Sequence, residues 1–346
     1  MFEISTTLSF NIDKLVDGEQ YDYVTRTSSN QGVLRKTGYV NQDNINEKGT
    51  WSLGLLQMDF FYRKNQWYAG QFVRKIIPKI TLEGKSILFF TTILNMQKQK
   101  LLNVLVRDVD STFSNAYVQL PTKDGKIDFK FIDDYISELE EERISELSAY
   151  LTVSGLDNYE LSNDENEALE NLNLIQWEEY NIEKLFGKST RGKRLKSDDR
   201  IKGSLPFVTA GEANTGISDF IGNGVEVFSK NTITIDMFGS AKYRNYNYGG
   251  DDHIAVVHTE KIKPESAIFV TSAVHKSSYN GQFNYGRNFY AKDADTLNIM
   301  LPTKNNEIDF SYMELLISAV KKLVIKDVVI YADNKIEATK KVIHRN

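Results

Sequence analysis

Hydrophobic and polar residues follow two different periods along the chain. Two long stretches, residues 10–120 and 180–301, contain short β-branched and aromatic runs such as Ile233–Asp236, Ile254–Val257 and Ile268–Val270. Gly, Asn and Ser interrupt these runs, which is typical of strands joined by turns. Each stretch is therefore predicted to form a β-rich domain.

After each β-rich stretch the apolar residues change to helical spacing. The first helical segment carries them at Phe131, Tyr135, Ile136, Leu139, Ile144, Leu147 and Leu151, and the second at Leu315, Leu316, Ala319, Leu323, Val324, Val328, Tyr331 and Ala332. Asp128 and Asp309 precede these segments, at the position of a helix N-cap. We expect a long helix after each domain. Because both helices follow similar domains in one chain, we also expect them to pair antiparallel.

An internal repeat connects the two halves. Leu120-Pro121-Thr122-Lys123 recurs as Leu301-Pro302-Thr303-Lys304, and 301 minus 120 gives a shift of 181 residues. Ile127-Asp128-Phe129 and Tyr62-Arg63 recur at the same shift, as Ile308-Asp309-Phe310 and Tyr243-Arg244. Because the period is about half of the chain, it indicates two related domains rather than a solenoid.

The sequence therefore predicts an α+β fold of two duplicated β-rich domains, each followed by a long helix. The helices are expected to form an antiparallel, coiled-coil-like spacer with pseudo-two-fold symmetry. The expected boundaries are 1–125 for the first domain, 126–176 for the central helix and an acidic linker, 177–305 for the second domain and 306–346 for the C-terminal helix.

Charge is distributed unevenly. The net charge is −5, but residues 126–176 alone hold 14 acidic and 3 basic residues, a net of −11. The remainder of the chain therefore carries −5 minus −11, or +6. A mildly basic pair of domains permits a surface that faces phosphates.

Residues suited to DNA contacts cluster in the predicted loops. Two similar domains at a fixed separation suit a DNA target of two half-sites, which side chains such as Arg, Lys, Asn and Gln read in the major groove. The candidates in the first domain are Arg26, Ser28, Asn30, Gln31, Lys36, Arg63, Lys64 and Trp67. Those in the second are Lys188, Arg191, Lys193, Arg194, Asn214, Lys242, Tyr243, Arg244, Tyr246, Lys276, Tyr279 and Arg287.

The order of motifs resembles specificity subunits of restriction–modification systems, in particular the BcgI-like group. The motifs are a Phe/Tyr-Val-Thr strand, Asn-x-Gly-Ile/Val, a Tyr-Arg hairpin, Leu-Pro-Thr-Lys and a long helix. The segments 127–156 and 324–339 are similar to the central and C-terminal helices of that family. The resemblance covers nearly the whole chain.

The resemblance implies two target-recognition domains that read a split double-stranded DNA sequence. It also implies helices that dock methyltransferase and restriction subunits, and here the candidate contacts are Phe131, Tyr135, Leu139, Leu316, Val324 and Val328. S-adenosylmethionine and magnesium are then expected on the partner subunit and no cofactor on this chain.

Sequence motifs for catalysis are missing. The chain has no Pro-Pro, which an amino-methyltransferase motif requires, and Gly222-x-Gly224 lacks the third glycine of a dinucleotide turn. Glu83-Gly84-Lys85 imitates part of a nuclease motif, and Asp251-Asp252 could bind a cation, but a turn explains each more simply. We therefore expect a non-catalytic subunit without a metal.

Two alternatives stay open on the residues alone. A duplicated β-rich module that binds protein or carbohydrate would also use exposed Tyr and Trp residues, and a self-sufficient nuclease would use Glu83 and Lys85. The chain has no cysteine, which excludes disulfides and thiolate chemistry and favours a reducing cytoplasm. The N-terminus lacks the pattern of a signal peptide, and no apolar run approaches the roughly 18 residues of a membrane helix.

Overall fold

The computed structural model describes residues 1–104 and 106–343, and it divides into two compact units, Met1–Glu146 and Leu147–Asn346. The α-helices are α1 Ser86–Asn95, α2 Lys98–Leu102, α3 Val109–Ser114, α4 Phe129–Val153, α5 Asn163–Glu170, α6 Ile182–Phe186, α7 Pro264–Ser278, α8 Ala291–Asp295 and α9 Phe310–Ile343. Within the described residues, no helix is both long and apolar enough to cross a membrane.

The first unit contains two main sheets. Its strands are β1 Phe2–Thr6, β2 Tyr21–Val24, β3 Val33–Thr37, β4 Thr50–Gly54, β5 Phe60–Arg63, β6 Trp67–Ala69, β7 Val73–Pro78, β8 Thr122–Lys123 and β9 Lys126–Ile127. An antiparallel sheet has the order β1-β7-β4-β5, and a smaller sheet has the order β3-β2-β6, in which β2 and β6 run parallel. The hairpin β8-β9 leads into α4.

The second unit repeats this arrangement. Its strands are β10 Gln176–Asn181, β11 Thr190–Arg191, β12 Lys202–Val208, β13 Ile217–Ile221, β14 Val227–Phe228, β15 Thr232–Asp236, β16 Ala241–Arg244, β17 Tyr248–Gly250, β18 Ile254–Val257, β19 Asn298–Lys304 and β20 Glu307–Ile308. The sheet β11-β18-β15-β16 corresponds to β1-β7-β4-β5. The sheet β13-β12-β17-β14 again contains a parallel pair, β12 and β17, and a third sheet has the order β10-β19-β20.

The repeat extends to strand register. Arg63 at the end of β5 is opposite Thr50 of β4, and Arg244 at the end of β16 is opposite Thr232 of β15. Strands β5 and β16 also share one pattern of burial, with both end residues buried and both middle residues half-buried. The mixed helix and strand content and the repeated topology agree with the duplicated α+β fold expected from the sequence.

Each long helix begins at the residue that the sequence predicts. Asp128 Oδ1 accepts from the Phe131 amide at 2.9 Å, and Asp309 Oδ1 accepts from the Tyr312 amide at 2.9 Å. An aspartate at this position accepts a hydrogen bond from a free amide of the first turn, and its negative charge interacts favourably with the positive end of the helix dipole. The N-cap prediction is confirmed for both helices.

One predicted strand is helical. The run Ile268–Val270 lies within α7, which begins with Pro264 in its first turn, where proline is favoured. Ala267, Val270 and Val274 are buried on one face of this helix and pack in the core of the second unit. The helical period of the burial outweighs the local β preference of the three residues.

Both units are built around apolar cores. In the first unit, Trp51, Phe60, Phe90 and Ile132 pack together, so the first turns of α4 contribute to the core. In the second unit the core includes Ile233, Ile235, Phe269, Met313 and Leu316. Since each unit buries its own core, each has the internal packing of a domain.

Besides its first turns, which pack in the core of the second unit, α9 also contacts the last turns of α4. Leu151 packs with Val329 and Ala332, and all three side chains are buried. This apolar cluster lies inside the second unit. It ties the end of one long helix to the middle of the other.

A buried ion pair holds α5 to α9. The Glu165 side chain accepts from Lys322 Nζ at 2.8 Å and from Ser318 Oγ at 2.6 Å, and it also accepts from the Ser162 amide in a capping box. Burial raises the pKa of the carboxyl, but these hydrogen bonds outweigh it and lower the pKa of Glu165 to about 2. The acidic linker is therefore anchored through its own helix.

Candidate nucleic-acid interface

Each domain carries an eight-residue loop that joins two strands of the sheet containing its parallel pair. Loop 1 is residues 25–32 and loop 2 is residues 209–216. Each loop is closed by one backbone hydrogen bond, from the Thr25 amide to Gly32 O at 2.7 Å and from the Thr209 amide to Gly216 O at 2.9 Å. The two loops therefore have the same closure and the same length.

The tips of the loops share an unusual backbone. Asn30 and Gln31 have φ of 47° and 53°, and Asn214 and Thr215 have the same two values. Two successive non-glycine residues in the left-handed region are rare, and threonine is disfavoured there because its Cβ is branched. All four side chains are exposed, so the tight turn presents them outwards.

A buried arginine lies under loop 1. Arg63 is 3% exposed, its Nε donates to Ser52 Oγ at 2.9 Å and its Nη2 donates to Gln31 O at 2.5 Å. Burial lowers the pKa of the guanidinium to about 10, which leaves it charged at neutral pH.

Arg244 occupies the matching place under loop 2. It is 1% exposed, and its Nε donates to Thr234 Oγ1 at 2.9 Å and its Nη1 to Tyr246 OH at 2.9 Å. A methyl group at Gly216 would lie 3.7 Å from its Nη2, and one at Gly32 would lie 3.4 Å from Arg63 Nη2. Both arginines thus reach the end of their loop from inside the sheet.

These positions correct three of the predicted DNA contacts. Arg63, Arg244 and Trp67 are buried, Trp67 completely, so their side chains do not reach the surface. Trp67 Nε1 donates to Thr50 Oγ1 at 3.2 Å. The strands that carry the three residues direct them into the domain, and composition alone does not reveal that direction.

The other candidates of the first domain are exposed. They are Arg26, Ser28, Asn30, Gln31, Lys36 and Lys64. Ser28 Oγ bonds to the Asp59 carboxylate, which also accepts from Lys98 Nζ at 2.5 Å. Loop 1 is therefore fastened at its side as well as at its tip.

Sequence reasoning did not select Phe72, which lies beside loop 1. Phe72 is 48% exposed, the Arg26 guanidinium lies 5.2 Å from the centroid of its ring, and its φ is 61°. A bulky residue with positive φ is a genuine outlier, and the Leu55 amide fixes its carbonyl at 2.9 Å. No sequence pattern predicts that Phe72 adopts the left-handed conformation.

Four basic candidates of the second domain, Lys188, Arg191, Lys193 and Arg194, are exposed. Arg191 is partly engaged, since its Nη2 lies 3.4 Å from Asp252 Oδ2 and its guanidinium lies 5.4 Å from the Tyr290 ring. Lys193 Nζ lies 3.4 Å from Glu226 Oε2. Exposed pairs of this kind exchange readily with other anions.

The remaining candidates of the second domain differ in exposure. Asn214, Lys276, Tyr279 and Arg287 are exposed, and Lys242, Tyr243 and Tyr246 are half-buried. Lys242 Nζ bonds to Glu212 Oε1 at 3.1 Å, and Arg287 pairs with Asp293. Burial raises the pKa of the Tyr243 phenol, which donates to Asn231 Oδ1 at 2.9 Å.

Two motifs considered for metal chemistry have structural partners. Ser86 Oγ bonds to the Glu83 backbone at the start of α1, and Lys85 Nζ pairs with Glu140 at 3.2 Å. Asp251, Asp252 and His253 bring three ligand atoms within 4.8 Å of one another. Arg191 already engages Asp252, and a guanidinium beside a carboxylate opposes binding of a second cation.

The long helices expose part of their apolar residues. Phe131 and Tyr135 of α4 are 53% and 50% exposed and stack at 6.2 Å, and Leu139 is half-buried. Val324 and Val328 of α9 are 74% and 38% exposed. Leu316, also predicted to contact a partner, is instead 8% exposed and packs in the core of the second unit.

The sequence profile of the type I restriction modification DNA specificity domain matches residues 1–149 and again residues 175–329. The two matches follow the two copies of the repeat and leave only short segments uncovered. This chain belongs to the type I restriction modification DNA specificity family. It is a specificity subunit of a restriction–modification system, and its role is DNA recognition.

Relatives of this specificity subunit have matching lengths. The chain is 22% identical over 325 residues to the BcgI specificity subunit S.BcgI, a type II restriction enzyme subunit of Heyndrickxia coagulans, and the match covers 90% of this chain and 92% of that one. The crystal structure of a type I S subunit from M. genitalium superposes with a TM-score of 0.51 at 14% identity and covers 99% of this chain and 91% of that one. At this identity the superposition supports the shared fold.

Proposed function

We propose that this specificity subunit binds a double-stranded DNA target made of two half-sites, one for each domain. The observation that carries the proposal is the pair of loops. Loops 1 and 2 have the same length, closure and backbone angles, but they present Asn30 and Gln31 in one domain and Asn214 and Thr215 in the other. Amide side chains recognise adenine by paired hydrogen bonds, and hydroxyls are less selective. The two half-sites should therefore differ in sequence.

Exposed cations in each domain would supply affinity through phosphate contacts. In the first domain these are Arg26, Lys36 and Lys64, and in the second they are Lys188, Arg194 and Lys276. Phosphate contacts fix the register of a protein on the duplex without reading its sequence. We assign target recognition to residues 1–125 and 177–305, and spacing to residues 126–176 and 306–346.

The long helices would set the distance between half-sites and dock the catalytic subunits. We propose that they pair antiparallel with approximate two-fold symmetry, which the packing of Leu151 on Val329 and Ala332 supports at one end. Phe131, Tyr135, Leu139, Val324 and Val328 would then contact methyltransferase and endonuclease subunits. The chain itself would be non-catalytic, with S-adenosylmethionine and magnesium bound by those partners.

A mobility-shift titration of the complex tests this proposal. Duplexes with both half-sites, one half-site or neither would be compared between about 50 and 200 mM salt. Over this range, a protein that makes roughly 6–10 phosphate contacts loses a factor of about 10³–10⁵ in affinity. We expect tight binding that requires both half-sites at one spacing. Equal binding to all three duplexes, or binding that salt does not weaken, would contradict the proposal. The family match does not favour the protein- or carbohydrate-binding alternative.

A further inference from the structure

The two buried arginines occupy equivalent positions in the two domains, and core packing alone does not explain a charged residue there. Each is the last residue of the strand that forms the edge of its main sheet, and each faces a hydroxyl on the neighbouring strand, Ser52 or Thr234. A buried guanidinium has five donors and is costly to remove from water unless they are paired. An apolar side chain would fill such a site at lower cost, so the repeated charge indicates a specific task.

The groups next to each guanidinium, at the tip of a loop, indicate what this task is. Arg63 Nη2 donates to the carbonyl of Gln31, one of the two left-handed residues at the tip of loop 1. Arg244 Nη2 lies under Gly216, the residue that follows the left-handed pair of loop 2. A non-glycine residue in this conformation costs on the order of 1 kcal/mol or more and persists only where its surroundings hold it.

We propose that Arg63 and Arg244 are positioning residues for DNA reading, each of which holds the tip of one loop so that its exposed side chains meet the base edges. This inference rests on the proposed function. Neither arginine touches DNA, and each acts on the half-site that its own domain reads. The second domain therefore serves as an internal control for a substitution in the first.

The discriminating measurement is the sequence that the complex modifies. The chain would be expressed with its partner subunits in cells that carry a plasmid library with randomised half-sites, and the modified sites would be read by sequencing that detects methylated bases. Arg63→Met should relax one half-site by about tenfold, the usual effect of losing one good base contact, and leave the other unchanged. Arg244→Met should relax the opposite half-site, and the lysine variants should restore part of the stringency.

A matched control separates positioning from loss of stability. Trp51 Nε1 donates to Thr91 Oγ1 at 2.8 Å, and Trp51 points to the opposite face of β4 from Ser52. Thr91→Val removes a half-buried hydrogen bond from the same domain without touching loop 1. It should lower the melting temperature and leave both half-sites as stringent as in the unsubstituted complex.

A second route to the loop covers the case in which Arg63→Met fails to fold. Gly32 has φ of 78°, and a methyl group there would lie 3.1 Å from Thr25 O and 3.2 Å from Thr27 O. Gly32→Ala should therefore disturb the tip while Arg63 keeps its bonds to Ser52. It should relax the same half-site as Arg63→Lys.

The outcomes distinguish this inference from the proposed function. If the unsubstituted complex modifies no interrupted sequence, the proposed function itself fails. If it does, and every folded Arg63 variant and Gly32→Ala keep full stringency at both half-sites, only the positioning role is overturned. Equal relaxation of both half-sites by each arginine variant would overturn it as well.

Discussion

The Nη2 atom of Arg63 lies 2.5 Å from the carbonyl oxygen of Gln31, so a side chain fixed inside the sheet supports the tip of an exposed loop. The same guanidinium bonds to Ser52 on the next strand. A loop supported in this way loses little conformational freedom when it binds, which favours affinity and selectivity.

Neighbouring residues 63 and 64 should differ sharply in their effect on stability. Arg63→Ala leaves Ser52 Oγ and Gln31 O without their buried donor, and we expect the free energy of unfolding to fall by about 3 kcal/mol. Lys64→Ala removes an exposed side chain and should change it by less than about 0.5 kcal/mol. Urea titration of both variants provides the comparison, and equal values would show that Arg63 does not support the domain.

Lys64→Ala should instead act on DNA binding. Loss of one phosphate contact is expected to weaken binding to all sequences alike and to reduce the salt slope by about one. Binding isotherms at several salt concentrations would measure the slope. Lys123→Ala, which removes an exposed charge from the β8-β9 hairpin, is the matched control and should keep the slope of the unsubstituted chain. A sequence-dependent loss at Lys64 would contradict its assignment as a phosphate contact.

The apolar residues of α9 should separate into core and docking residues. Leu316→Asp places an unpaired carboxylate in the core of the second domain, and we expect it to unfold that domain. Val324→Asp affects a side chain that is 74% exposed and should leave the melting temperature within about 2 °C of the unsubstituted chain.

Assembly with the catalytic subunits should, in contrast, be lost in Val324→Asp. Co-elution on a sizing column measures it. Asn334→Asp adds the same charge at another exposed position of α9 and should still assemble. If Val324→Asp assembles normally, this surface does not dock a partner.

The Glu165–Lys322 pair should make the free energy of unfolding depend on pH in the acidic range. The folded-state pKa of Glu165 is lowered to about 2 from an unfolded value of 4.5, so its contribution is present above pH 4.5 and is lost as the pH falls towards 2. Glu165→Gln should reduce the free energy of unfolding at pH 7 by about 3 kcal/mol and flatten its decline in acid. Chemical denaturation at a series of pH values would test both, and a parallel decline in the two proteins would contradict the assignment.

Short-range features were predictable from the sequence, whereas the direction of side chains was not. The caps at Asp128 and Asp309 depend on a few neighbouring residues, and the Leu-Pro-Thr-Lys and Tyr-Arg repeats can be recognised from the residue types alone. Whether Arg63 faces a duplex or a sheet depends on partners such as Ser52 and Gln31, which the strand register brings together. The same limit applies to Leu316, which the sequence pattern places on a partner surface, and to Ile268–Val270, which the pattern places in a strand.

The left-handed pair at the tip of each loop has a consequence for how such a chain changes over generations. Each loop is closed by one backbone hydrogen bond, and the guanidinium of a buried arginine lies next to its last glycine. Of the four exposed side chains at the tips, that of Asn30 also bonds to the backbone, since its Nδ2 donates to Val33 O at 3.1 Å. Replacement of Gln31, Asn214 or Thr215 therefore leaves the closing hydrogen bonds in place, whereas replacement of Asn30 also removes a bond to the Val33 carbonyl. Under the proposed function, specificity can change at either end of the target independently, while the helices proposed to dock the partner subunits stay unchanged.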